Sequence, residues 1–123
     1  ENNISFTLWC SPEPMMTEGD EKQLSQVFLN LLKNAMQALE GHPHGELSLQ
    51  AEQDEYIVID ITDNGPGIPP EILDKVFIPF FTTKSEGTGI GLSLCKEIIR
   101  RHEGHLAIKE SRAGKTVFHI ELP

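Results

Sequence analysis

The sequence predicts an α+β fold of five strands and three helices. Three observations carry that reading. The chain has 123 residues, enough for one core and not for two. Five short stretches alternate apolar and polar residues with period two. Between them lie stretches whose apolar residues recur at helical spacing.

In residues 4–10, Ile4, Phe6, Leu8 and Cys10 share one side and Ser5, Thr7 and Trp9 the other, the pattern of a half-buried strand. Asp20 is placed as a helix N-cap, with Gln23 completing a variant capping box. Leu24, Val27, Phe28, Leu31, Ala35, Ala38 and Leu39 then form the apolar stripe of a helix of about five turns, stopped near Gly41. Asn30 and Asn34 stand one turn apart beside that stripe, with Gln26 on the same line. Their spacing fits a polar task and solvated amides equally well.

A second strand follows through Leu47, Leu49 and Ala51, and a third through Ile57, Ile59 and Ile61. Period two carries Asp63 onto the apolar side of the third strand. A carboxylate there is costly unless it is hydrogen-bonded, and it can serve as the polar anchor of a pocket. Pro69-Pro70 opens a short helix to about Lys75, and Phe77, Phe80 and Phe81 are expected to plug the core beneath a polar loop. Gly87-Thr88-Gly89-Ile90-Gly91 opens the last helix, whose inner face is Leu92, Cys95, Ile98 and Ile99 and whose stop is Gly104. Leu106, Ile108 and Glu110 share one side of the fourth strand. Thr116, Phe118, Ile120 and Leu122 share the inner side of the fifth, which makes Thr116 an inward hydroxyl near Asp63.

Ten basic residues against nineteen acidic give a net charge of −9. This argues against sequence-independent binding of nucleic acid or an anionic membrane, so an anionic ligand must be held by local features. No apolar run is long enough to span a bilayer and no signal-peptide pattern is present, so a cytoplasmic domain is expected. Cys10 and Cys95 show no metal-type spacing and read as thiols of a reducing compartment. His42 and His44, in a glycine/proline loop, read as exposed and not as metal ligands.

Two glycine clusters bound the chemistry. Asp63-Asn64-Gly65-Pro66-Gly67 puts a carboxylate beside a turn, where it can accept from an exocyclic amine. The cluster ending at Gly91 opens a helix, where backbone N–H groups can bind phosphate. Lys84 is the cation beside it. Gly87-x-Gly89-x-Gly91 is not the dinucleotide fingerprint, because the third glycine comes one residue early and no strand precedes it. Gly114-Lys115-Thr116 is not a P-loop, because Lys109 stands where the upstream glycine belongs.

Taken in order, these stretches closely resemble the catalytic ATP-binding domain of bacterial two-component sensor histidine kinases. Asn30-Leu31-Leu32-Lys33-Asn34-Ala35 resembles the family's N box, and Asp63 to Ile68 its first glycine box. Phe77 to Phe81 resembles the F box, Gly87 to Leu92 the second glycine box, and Thr116-Val117-Phe118 with Glu121-Leu122-Pro123 the closing strand. The likeness covers essentially the whole chain. It implies the Bergerat fold, a two-layer α/β sandwich with a mixed five-stranded sheet packed on three helices. It implies that residues 1–123 are the catalytic domain of a longer kinase.

It also implies roles. Asp63 accepts from the adenine amine, assisted by Thr116, with Gly65 and Gly67 leaving room for the ring and Ile68 beside it. Asn34 is a ligand of Mg²⁺ on the phosphates and Asn30 stands next to it. Gly87, Thr88, Gly89, Ile90, Gly91 and Leu92 hold the phosphates. Phe81, Thr82 and Lys84 belong to a lid over the nucleotide, from about Pro79 to Glu86, with Lys84 near the terminal phosphate. Asn30 and Lys84 are the candidates closest to the chemistry. The implied partners are ATP, a histidine-bearing dimerisation domain of the same kinase and, through it, a response regulator. The isolated domain is expected to be a monomer and the full kinase a dimer. Alternatives within the fold are hydrolysing ATPases of the gyrase, mismatch-repair or heat-shock type and anti-sigma-factor serine kinases. A nucleotide-gated interaction module is a further one. The chain departs from the family at Ala38, where many members carry tyrosine, and at His102-Glu103-Gly104, where His-Gly-Gly is usual. Packing is the expected job of His102.

Overall fold

The computed structural model describes residues 4–11, 19–79 and 91–123. Phe81, Thr82, Lys84, Gly87, Thr88, Gly89 and Ile90 lie outside the described residues, as does Phe80. The elements are β1 (Ile4–Ser11), α1 (Glu21–Ala38), β2 (Gly45–Gln53), β3 (Ile57–Asp63), α2 (Pro70–Leu73), α3 (Gly91–Arg101), β4 (His105–Arg112) and β5 (Lys115–Leu122). The strands form one sheet in the order β1-β2-β3-β5-β4. β1 pairs parallel with β2 and every other pairing is antiparallel, which makes the sheet mixed as expected.

Helices α1 and α3 pack against each other and onto the sheet, chiefly over β3 and β4. Most of the stripe read from the sequence is buried: Val27, Leu31, Ala35 and Leu39 pack with Ile59, Ile61, Ile99, Leu106, Phe118 and Ile120, whereas Ala38 is exposed at the end of the helix beside Gly65. Burying each large aliphatic side chain there contributes about 1.5–3 kcal/mol. Phe77 meets Phe118 edge-on, with ring centroids 6.5 Å apart, and Lys96 Nζ stands 4.4 Å above the Phe77 ring.

The first strand is less buried than its alternation suggests. Phe6 and Leu8 are 53% and 63% exposed. β1 is an edge strand, and the helices lie over strands further along the sheet, so alternation there marks a side without covering it.

The N-terminus of α1 is capped by Asp20, whose carboxylate accepts from the Gln23 N–H at 3.0 Å. The reciprocal half of the expected box is filled from elsewhere. The Asp20 N–H donates to His102 Nε2 at 3.0 Å, and His102 Nδ1–H donates to the Ile98 carbonyl at 2.8 Å. His102 is therefore a polar link between the end of α3 and the start of α1, where sequence spacing suggested packing alone. Gly19 sits so close to this ring that a Cβ would lie 2.5 Å from it.

The stop of α3 also differs in detail. The left-handed residue is Glu103, at φ 62°, and Gly104 N–H then closes on the Ile99 carbonyl at 2.9 Å. Gly104 is needed for a different reason, because a Cβ there would stand 2.4 Å from the Glu121 carbonyl oxygen.

Candidate nucleotide site

Asp63 ends β3 and is 3% exposed, flanked by Leu47 of β2 and Thr116 of β5. Period two delivers it to the inner side, as the sequence predicts. Burial raises its pKa above the ordinary carboxylate value, and the hydrogen bond from the Gly65 N–H, 2.9 Å to Oδ1, partly offsets that. Thr116 is 4% exposed and stands directly across the ladder from Asp63. The two groups expected to meet one edge of a ligand are thus brought together by the β3–β5 pairing.

The turn after Asp63 is held by protein contacts on every side. Asn64 Oδ1 accepts from the Glu46 N–H at 2.7 Å, and Nδ2 donates to the His44 carbonyl at 2.9 Å. Its side chain therefore serves the start of β2 and not a ligand. The Gly65 carbonyl accepts from the Gly114 N–H at 2.8 Å. A Cβ on Gly65 would lie 3.0 Å from Asp63 Oδ1 and 3.1 Å from the Ala38 carbonyl. Gly67 has φ 85°, and a Cβ there would lie 2.6 Å from the Arg112 carbonyl oxygen. Gly67 is thus required by the protein's own backbone before any ring is considered, while a side chain at Gly65 would meet tight contacts with Asp63 and Ala38. Ile68 is half-buried against the core, and its N–H donates to Ser111 Oγ at 2.8 Å.

Helix α1 runs past Gly65 at one end and Gly91 nearer its middle. Its Ala38 end abuts Gly65, while Asn30 Oδ1 lies 3.8 Å from the position of a Cβ on Gly91. Eight residues separate Asn30 from Ala38, about 12 Å along a helix axis. Asn30 and Asn34 are both half-buried on this side of the helix. The Asn30 side chain also reaches Cys95, whose thiol burial pushes up to about 11. Cys95 Sγ donates to the Val27 carbonyl at 3.8 Å, so the α1–α3 contact beneath Asn30 is closely fitted. Leu92 packs on the core at the first turn of α3.

Chemically, this side of the molecule offers a buried acceptor carboxylate, a buried hydroxyl, and two amide side chains one turn apart beside the start of a helix. Amide oxygens are hard donors suited to a magnesium ion, so the residues present fit such an ion. The functional residues that the sequence reading missed are Asn64, as a clamp, and Ser111. Nothing local signals the first, because its partners Glu46 and His44 lie 18 and 20 residues back along the chain. No local signal marks the second.

Residues 19–123 match the family described as histidine kinase-, DNA gyrase B- and HSP90-like ATPases. The chain is 43% identical over 126 residues to sporulation kinase C of Bacillus subtilis, covering all of this chain and 27% of that protein's length. It superposes on the catalytic domain of the histidine kinase ThkA with a TM-score of 0.85 and 35% identity, over 98% of this chain and 78% of that one. It also matches ThkA solved in complex with the response regulator TrrA, with a TM-score of 0.80, 32% identity, and 98% and 34% of the two chains covered. The chain belongs to the histidine kinase-, DNA gyrase B- and HSP90-like ATPase family, as a catalytic domain of the sensor-histidine-kinase type with the Bergerat fold.

Proposed function

We propose that this domain binds Mg-ATP and donates its γ-phosphate to a histidine on a separate dimerisation domain, in two-component signal transduction. The observation that carries the reading is the buried Asp63 carboxylate. It sits at the head of a glycine turn, on the same edge of α1 that holds Asn30 against the start of α3. A base at Asp63 and Thr116 and phosphates at the N-terminus of α3 span the distance between these two clusters.

Asp63 accepts from the adenine amine with the carboxylate oxygen that Gly65 leaves available. Thr116 offers a hydroxyl on the same edge. Asn34, with Asn30 beside it, would hold a magnesium ion, which supplies charge neutralisation at the phosphates when bound. Residues 87–91 supply backbone N–H groups to the phosphates, and Lys84 supports the terminal one. In transfer, an imidazole nitrogen of the acceptor histidine bonds to the γ-phosphorus as the bond to the β,γ-bridging oxygen breaks, and ADP leaves. The protein's part is to position and to stabilise charge. Asn30 has an amide that cannot take up a proton at neutral pH, so water is poorly activated and hydrolysis stays slow.

The chain spans about a quarter of sporulation kinase C, so the acceptor domain, a response regulator and a dimeric, cytoplasmic kinase are inferred for the longer protein. The relative solved with a response regulator supports that partner class. The test mixes the purified domain with γ-labelled Mg-ATP, with and without a helical hairpin bearing the acceptor histidine. Labelled hairpin and very slow phosphate release by the domain alone are expected. Rapid release that survives Asn30→Ala would place the chain with the hydrolysing ATPases instead.

A further inference from the structure

The β4–β5 hairpin carries a register shift between Ile108 and Glu110. Strict alternation from Leu106 and Ile108 would put Glu110 on the inner side and Ser111 on the outer. The bulge at Lys109 reverses that, pairing Glu110 with Val117 and Ser111 with the buried Thr116. On the inner side the Ser111 hydroxyl meets both backbone groups of Ile68. Oγ accepts from the Ile68 N–H at 2.8 Å, and the O–H reaches the Ile68 carbonyl at 3.5 Å. The next residue, Arg112, presents the backbone that Gly67 alone can approach, and Gly114 N–H holds the Gly65 carbonyl at 2.8 Å. Residues 111–114 thus grip three positions of the glycine turn.

We infer that Ser111 is a positioning residue for adenine recognition, acting through Ile68 to hold the 65–68 turn in register with Asp63 and Thr116. The inference rests on the nucleotide reading of the site. The bulge is the device: it delivers one hydroxyl to the turn from the same strand pair that delivers Thr116 to the base. Removing the hydroxyl leaves the Ile68 N–H unpaired in a half-buried place. The turn then becomes mobile, and binding must order it again. The loss falls on base recognition and not on the phosphates, which are held from α1 and α3.

The experiment compares wild type, Ser111→Ala and Ser111→Thr. Ser111→Ala is expected to weaken ATP binding roughly five- to tenfold, the effect of one lost hydrogen bond. The loss is equal in magnesium and in EDTA, and it narrows the preference for ATP over GTP. Ser111→Thr, which keeps the hydroxyl, restores both. Without nucleotide, amide exchange at Ile68 is faster in Ser111→Ala, while amides in the core of β5 are unchanged. Wild-type affinity in Ser111→Ala, or a loss seen only in magnesium, overturns the inference. So does unchanged exchange at Ile68. If wild type itself takes no ATP, the nucleotide reading fails and base positioning fails with it. The exchange measurement still reports whether Ser111 holds the turn.

Discussion

Replacing Asp63 by asparagine is expected to separate stability from binding. The carboxylate is 3% exposed and has one backbone donor, Gly65, at 2.9 Å. Asparagine keeps an oxygen for that N–H and removes the charge. A hydrogen bond to a charged acceptor is worth about 1 kcal/mol more than a neutral one. The desolvation of a buried carboxylate costs several kcal/mol. Burial also outweighs the Gly65 bond in setting the pKa of Asp63, so the same ordering holds for stability. Asp63→Asn should therefore leave the fold as stable as wild type, or more stable by roughly 1 kcal/mol. Asp63→Ala leaves the Gly65 N–H unsatisfied and should lie about 2 kcal/mol below the asparagine variant.

The sign with pH follows. The folded pKa of Asp63 is raised, so its charge subtracts stability at neutral pH, and that penalty fades as pH falls through the folded value. The advantage of asparagine should shrink in acid. Binding goes the other way. A single amide oxygen must serve both Gly65 and the adenine amine, which should weaken ATP affinity roughly 100-fold. Urea unfolding at neutral and acid pH measures the first effect, and calorimetric titration the second. Wild-type ATP affinity in Asp63→Asn would refute the adenine role. A loss of more than about 2 kcal/mol of stability would refute the claim that the buried charge burdens the fold.

Gly67→Ala should be destabilised by about 2–5 kcal/mol, combining a left-handed φ with a Cβ pressed on the Arg112 backbone; a urea midpoint within error of wild type would contradict this. Glu103→Gly should stabilise by roughly 1 kcal/mol, because Glu103 carries the positive φ that ends α3, and a Tm no higher than wild type would argue against it. On the open side of the sheet, His119 Nδ1 donates to Asp60 Oδ1 at 2.6 Å and Nε2 to Glu121 Oε2 at 2.9 Å, while Lys109 Nζ stands 3.4 Å from Asp60. Burial alone would lower the His119 pKa, but Glu121 and Asp60 together raise it above 6.5. Its contribution is then fully present below pH 6.5 and lost as pH rises through the raised folded value, so the unfolding midpoint should fall over that window and stay flat in His119→Gln.

Local sequence alone determined most of the element types and the inward direction of Asp63 and Thr116. Those follow from periods of 3.6 and two, which depend only on backbone geometry. The caps at Asp20 and the punctuation at Gly41 and Pro69-Pro70 were legible for the same reason, because each acts within one turn of itself. What tertiary structure decided lies where a residue's partner is far along the chain. His102 completes the cap of α1 from 82 residues away, and no spacing announces that. Phe6 and Leu8 alternate like core residues but lie on an edge strand, because burial depends on where the helices cross the sheet. Gly67 reads as room for a ligand, yet the atoms at its missing Cβ belong to Arg112, 45 residues on. Ser111 reaches Ile68 because a bulge changes the parity of its strand, and parity after a bulge is set by the partner strand's pairing.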